Sequence, residues 1–157
     1  MDVVEYRTVM GQFATGVTVV TSAGPEGPAG LTTNAFTSLS LEPLLVLVCL
    51  DRTARTLAAV ESSRKLAVNV LARSQEELAV TFAGKASHAE KFDGVSHREM
   101  DGVPILDGVV AWLAGEVREL LPGGDHVIAV AEVTSFDAPG GDPLVFYGGR
   151  YGSLGPG

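Results

Sequence analysis

The chain of 157 residues has the length of one domain, 1–157, and can bury a core without cross-links, while its single cysteine excludes an intramolecular disulfide and fits a reducing compartment. A formal net charge of −8 at pH 7 sets nucleic acid and anionic lipid at an electrostatic disadvantage as partners. No apolar stretch approaches the roughly 20 residues of a membrane span, and the acidic start Met1-Asp2-Val3-Val4-Glu5 is unlike a signal peptide, so the chain reads as soluble and cytoplasmic. A hydrophobic share of 46% is high for a small chain and predicts an apolar surface covered by a second subunit.

In chain order, Tyr6, Val9, Met10 and Phe13 recur at helical spacing and predict a short helix over Val3 to Gln12, which Gly16 separates from the β-branched run Val17 to Thr21. Gly24-Pro25-Glu26-Gly27-Pro28 is a turn, and a second strand through Thr32 to Phe36 completes a hairpin. Between Glu26 and Glu42 there is no charged residue, yet the stretch carries Asn34 and the hydroxyls of Thr32, Thr33, Thr37, Ser38 and Ser40. Neutral donors and acceptors among small residues suit a flat, polar, mostly uncharged heterocycle, and equally a half-buried strand whose hydroxyls bond its own backbone. Leu44 to Leu50 is too continuously apolar to have a solvated face and predicts a central strand, with Cys49 as a buried small hydrophobe rather than a nucleophile.

Asp51-Arg52-Thr53-Ala54-Arg55-Thr56 opens a helix to about Ser62. Its first turn offers free amides, two threonine hydroxyls and Arg55, a donor set that favours phosphate; the alternative is that Asp51 or Thr53 only caps the helix while Arg55 lies in solvent. A strand over Lys65 to Leu71 and a helix from Ser74 to Phe82, with Ser74 and Glu77 as a capping box, come next. Gly84 to Gly94 reads as a polar, mobile connection in which His88, like His97, is a surface residue, and no histidine has partners at metal-ligand spacing. Val109 to Leu121 and Val127 to Phe136 are long strands joined by Pro122-Gly123-Gly124-Asp125-His126, and a last strand, Leu144 to Gly148, precedes Arg150 and Tyr151. Strands with short helices and no regular βαβ alternation predict a mainly β fold, a small barrel with appended helices. Neither GxGxxG, nor a P-loop, nor a GxSxG elbow is present, so the common dinucleotide, phosphate-loop and hydrolase signatures are missing.

Taken together, Met10-Gly11-Gln12-Phe13-Ala14-Thr15-Gly16-Val17-Thr18-Val19-Val20-Thr21, Gly30 through Ser40, Cys49-Leu50-Asp51-Arg52 with Thr56, Phe82-Ala83-Gly84, Lys91-Phe92, Gly124-Asp125-His126, and Leu144-Val145-Phe146-Tyr147 with Gly149-Arg150-Tyr151 resemble the flavin reductase-like family over nearly the whole chain. One departure is Glu42-Pro43-Leu44, where many relatives carry a second proline. The resemblance implies an FMN-binding split β-barrel, Greek-key-like and homodimeric, that moves a hydride from NADH or NADPH to FMN or FAD and supplies reduced flavin to a partner monooxygenase. By the same resemblance, Thr32, Thr33, Asn34, Ala35, Phe36 and Ser38 cradle the isoalloxazine, Cys49, Leu50 and Asp51 pass beside it, and Arg55 and Thr56 take the phosphate. Phe82, Ala83 and Lys91 are further cofactor contacts, while His126 and Tyr151, with Phe146 and Arg150, flank the nicotinamide. A neutral His126 there would donate to the carboxamide or pack against the ring. The rival readings are a split-barrel flavoprotein that holds FMN permanently, and a non-catalytic binding module.

Overall fold

The computed structural model describes residues 1–155. Helix α1 (Val3–Met10) is capped by Asp2, whose carboxylate accepts from the Val4 amide at 2.8 Å. Its apolar stripe does not face the core: no residue of α1 is buried, and Tyr6, Val9, Met10 and the following Phe13 are exposed. A two-residue strand β1 (Thr15–Gly16) leads to the hairpin β2 (Thr18–Gly24) and β3 (Gly27–Thr33), turned by Pro25 and Glu26 as the sequence predicts. The expected continuation through Phe36 is broken. Thr33 Oγ1 accepts from the Ala35 amide at 3.1 Å, a local bond that competes with the ladder, and Asn34 donates away from it to Thr15 Oγ1 at 3.1 Å, so that β3 ends at Thr33.

The chain then forms β4 (Phe36–Leu41) and β5 (Leu44–Asp51), α2 (Arg55–Ser63), β6 (Lys65–Val70), α3 (Glu76–Ala83), α4 (His88–Phe92), the small hairpin β7 (His97–Met100) and β8 (Val103–Leu106), the long hairpin β9 (Ala111–Gly123) and β10 (His126–Asp137), and finally β11 (Leu144–Tyr147) and β12 (Arg150–Ser153). Seven strands make one antiparallel sheet in the order β3-β2-β6-β9-β10-β5-β4; β1, β11 and β12 form a second sheet. β3 and β4 are the two edges of the larger sheet, yet only Asn34 and Ala35 separate them in sequence. The three steps from Thr33 to Phe36 span at most about 11 Å, so the sheet must roll until its edges come close. The roll leaves β3 and β4 unpaired with each other, and the Cys49 amide donates to the Ala35 carbonyl of the link at 2.9 Å.

The β5 strand lies inside the sheet, as expected, but it alternates: Val46, Val48 and Leu50 are buried while Leu45, Leu47 and Cys49 are half-buried on the other face. Cys49 is therefore not a core residue. Packing divides between the faces of the sheet. Val19, Ala67, Phe82, Phe92, Ile105 and Leu106 gather under α3, α4 and β8, while Val20, Val48, Leu50, Leu57, Leu66 and Ala129 gather under α2. Each such Val, Leu, Ile or Phe side chain contributes about 1.5–3 kcal/mol by burial. The buried Asn69 ties the layers together, donating to the Val19 carbonyl at 3.0 Å and Thr21 Oγ1 at 3.1 Å and accepting the Leu106 amide at 2.8 Å.

Two local expectations change. Ser74 does not cap a helix: a 3-10 turn at Arg73–Gln75 intervenes, Gln75 Oε1 accepts the Ala72 amide at 2.9 Å, and α3 begins at Glu76. The connection after Gly84 is not merely polar linker, because Ser87 and Glu90 form a reciprocal capping box that starts α4 and buries Lys91 and Phe92. The β8 strand, wholly buried, had no counterpart in the expected elements. Among the described residues no helix is long and apolar enough to cross a membrane.

Candidate functional site

Four parts of the fold converge on one cleft of about 560 Å³: the end of β3, the end of β5 with the start of α2, the segment from Phe82 through α4, and the start of β10. That volume is within the range of small-molecule clefts, roughly 300–1,000 Å³. β3 brings Thr32 and Thr33. Thr32 Oγ1 donates to the Ala79 carbonyl at 2.7 Å, which fixes the side chain against α3. Alternation along β5 turns Cys49 and Asp51 to the cleft and Leu50 into the core, where it is fully buried. Leu50 can meet a ligand only through its backbone.

At the start of α2 the N-cap is Ala54, which offers no capping side chain, and Asp51 is committed elsewhere, accepting the Thr53 amide at 2.7 Å and the Thr53 hydroxyl at 2.6 Å. Those bonds, the hydroxyl first, hold the Asp51 carboxyl below the usual carboxylate range. The first turn of α2 thus keeps its amides free of any side-chain cap, with Thr56 buried and Arg55 exposed at the cleft wall. Neither Asp51 nor Thr53 caps the helix, while Arg55 is exposed as the alternative to the anion reading expects. Across the cleft Lys91 is 7% exposed and donates to the Phe82 carbonyl at 3.0 Å. Burial, and then the charge of Arg55, hold its ammonium below the ordinary lysine value.

His88 also lines the cleft, which corrects its assignment to the surface; His97 does lie on exposed β7. Both ring nitrogens of His88 are buried and neither has a hydrogen-bond partner. The signal for its position was readable in Ser87-His88-Ala89-Glu90, an S-x-x-E start that places His88 and Lys91 one turn apart on the same helix face. Thr53, Ala54 and Lys85 are further lining residues that the expected site omitted.

His126 begins β10 opposite Asp51 of β5. Gly124, at φ +74°, supplies the positive φ of the two-residue turn before it. Arg52 staples that turn to the cleft, its amide donating to the Asp125 carbonyl at 3.0 Å and its Nε to the Gly124 carbonyl at 2.8 Å. Asp125 Oδ1 lies 2.7 Å from His126 Nδ1. A carboxylate only accepts, so the Nδ1–H donates to Asp125 and Nε2 is the ring nitrogen left for a ligand. The expected contact of His126 with the carboxamide, or its packing against the ring, would therefore be made through Nε2 or the ring face.

The cleft therefore gathers Thr32, Thr33, Cys49, Asp51, Arg55, Thr56, Phe82, Ala83, Lys91 and His126. Other expected residues lie elsewhere. Asn34 and Ala35 form the link between the sheet edges, and Phe36 and Ser38 line an apolar groove with Leu41, Leu44 and Trp112. Phe146 and Tyr151 sit in the smaller sheet with ring centroids 5.4 Å apart, and Arg150 shares a separate shallow cleft with Tyr151. Burial, and then Glu76, raise the Tyr151 phenol above its ordinary value. Among the described residues, no group of three or more His, Cys, Asp or Glu is gathered for a metal.

A flavin nucleotide fits this donor set: neutral hydroxyls and backbone at one end, and uncapped amides with Arg55 and an unpartnered imidazole at the other. Comparison with known proteins agrees. Residues 10–155 match the model of the flavin reductase like domain. The chain is 42% identical over 156 residues to the reductase component of 4-nitrophenol 4-monooxygenase/4-nitrocatechol 2-monooxygenase of Rhodococcus opacus, covering 99% of this chain and 83% of that one. It is 40% identical over 147 residues to a probable flavin reductase of Rhizobium meliloti, covering 92% of this chain but only 47% of that longer protein. The solved structure of the NADH:FAD oxidoreductase SgcE6 of Streptomyces globisporus C-1027, in complex with NAD and FAD fragments, superposes with a TM-score of 0.92 at 39% identity, covering 99% of this chain and 94% of that one. The chain belongs to the flavin reductase-like family.

Proposed function

We propose that this protein is an NAD(P)H:flavin oxidoreductase that reduces FMN or FAD with NADH or NADPH and passes the reduced flavin to a partner monooxygenase. The observation that carries this reading is the cleft itself, where a neutral cradle, an uncapped helix start with Arg55 and a tethered histidine face one cavity. The names of its relatives, a monooxygenase reductase component and an NADH:FAD oxidoreductase, support the same activity. The flavin, when bound, supplies the hydride-accepting chemistry. Thr32 and Thr33 would hold the ring system without titrating, and Arg55, Thr56 and the α2 amides would hold the phosphate. His126, fixed in tautomer and position by Asp125, would accept from the nicotinamide carboxamide through Nε2 and orient that ring. No acid is needed at the hydride step, so the protein acts by positioning and by excluding water.

We further infer that the rolled sheet is a split β-barrel of Greek-key-like connection, that the whole chain is one domain, and that it works in the cytoplasm as a homodimer. Exposed Leu41, Leu44, Phe136 and Phe13 support an apolar interface, which would bury about 2,000 Å² or more if obligate. Sedimentation at micromolar concentration should show a dimer, and a monomer alone would overturn that inference. The expected roles of Phe146, Arg150 and Tyr151 at the nicotinamide stand as secondary, since these residues lie outside the cleft within one chain.

Steady-state nicotinamide oxidation, measured with each pyridine nucleotide against each flavin and without flavin, tests the reading. Oxidation that requires added flavin is expected. Oxidation unaffected by added flavin, with FMN retained through purification, would favour the permanently flavinylated alternative.

A further inference from the structure

His88 is a buried-tip imidazole that the reaction does not use. Both of its ring nitrogens are shielded from solvent and neither makes a hydrogen bond of good geometry, the Arg55 backbone lying near enough only to favour the charged ring, an arrangement that costs free energy unless something in the cleft pairs with them. It stands on α4 beside Lys91, across from Arg55 and Thr56 of α2, all lining the same cavity. We propose that His88 takes up a proton when the phosphate of a flavin nucleotide enters between it and Arg55, so that flavin nucleotides, but not riboflavin, bind with proton uptake and more tightly as the pH falls. This rests on the assignment of the cleft to flavin and adds to it a residue that senses the phosphate.

The charges around the ring support the direction. Burial, and then the positive Lys91, hold the imidazole below its ordinary value, with Arg55 acting the same way and the Arg55 backbone and Glu26 of the β2–β3 turn opposing. Glu90, the other charge on α4, is occupied by the Ser87 amide and hydroxyl at 2.8 and 2.6 Å, and Lys85 adds a further positive charge to the cleft wall. In the protein alone these influences together favour the neutral ring. A phosphate set among Arg55, Lys91 and His88 reverses the balance, because a dianion favours the imidazolium and gives its N–H groups an acceptor. The nucleotide complex then binds more protons than its components, and by linkage its affinity rises as pH falls, by at most about tenfold per pH unit between the two midpoints.

FAD is the cleaner probe, since its pyrophosphate does not titrate near neutrality whereas the FMN monoester does, with a second pKa near about 6. Calorimetric titration of FAD and riboflavin near pH 7, in buffers of different ionisation enthalpy, reads proton uptake directly. Uptake of a substantial fraction of one proton is expected with FAD, none with riboflavin, and none with FAD in His88→Gln. Independently of any variant, the imidazole NMR signals of the parent should show His88 titrating at higher pH with FAD than without. FAD bound more tightly than riboflavin but without uptake, uptake unchanged in His88→Gln, or a His88 midpoint unmoved by FAD would each overturn the proposal alone. FAD and riboflavin bound equally by both the parent and Arg55→Ala would overturn the phosphate assignment, and this proposal with it.

Discussion

Replacing Arg55 by alanine separates the phosphate from the ring of the flavin. Arg55 is exposed at the cleft wall and makes no ion pair among the described residues, so its removal leaves no buried charge behind and should not unfold α2. A charge-assisted hydrogen bond to phosphate contributes about 1.5–3 kcal/mol, and solvent screening of an exposed guanidinium places Arg55 at the low end of that range. FMN affinity should thus fall about tenfold at physiological salt, and more at low salt. FMN would still bind more tightly than riboflavin, because the uncapped α2 amides and the Thr56 hydroxyl remain, the dipole alone contributing about 0.3–1 kcal/mol. Flavin fluorescence titrations with FMN and riboflavin provide the comparison. Equal losses for both flavins, or none for either, would show that Arg55 is a bystander and that the helix start does not hold the phosphate.

Three other outcomes follow from the geometry. His126→Ala should leave FMN affinity nearly intact while lowering kcat/KM for the pyridine nucleotide about tenfold, about 1.4 kcal/mol, whereas His126→Asn, which can still donate to Asp125, should retain more activity; steady-state kinetics checks both. Asn69→Ala would strand the buried Leu106 amide and should destabilise the fold by about 1–3 kcal/mol in urea unfolding, the cost of one unpaired buried group. The Asp107 carboxyl is held below its ordinary range by the Ser96 hydroxyl and then by Arg98, so the folded state binds its proton less readily than the unfolded chain. Its stabilisation is complete above the unfolded value of about 3.9 and is lost as pH falls through the lower folded value, and the acid limb of a stability–pH curve should be shallower in Asp107→Asn.

Much of the site was legible because it depends on short-range chemistry. The absence of charge from Glu26 to Glu42 marked Thr32 and Thr33, and the Asp51-Arg52-Thr53-Ala54-Arg55-Thr56 stretch marked a helix start that the structure leaves uncapped. Local order also explains the main errors. Reading Gly84 to Gly94 as linker weights its polarity above the Ser87–Glu90 capping box, which hides the inward placement of His88, while Lys91 is reached only through the family resemblance. The buried strand β8 escaped notice because Val103-Pro104-Ile105-Leu106 is too short for its periodicity to register. Apolar content alone could not show that the stripe of α1 faces outward, since helical spacing gives a face but not what covers it. Cys49 illustrates the same limit: seven apolar residues in a row concealed the alternation that turns it to the cleft.

Hydride transfer to a flavin held in the cleft is the central step of the proposed activity, and anaerobic stopped-flow mixing of the protein and flavin with NADH or NADPH observes that step itself. With at least one pairing of flavin and nucleotide, bleaching of the flavin absorbance should be far faster than in the protein-free mixture and should slow about tenfold in His126→Ala at subsaturating nucleotide. Bleaching no faster than without protein, for every pairing, would contradict it.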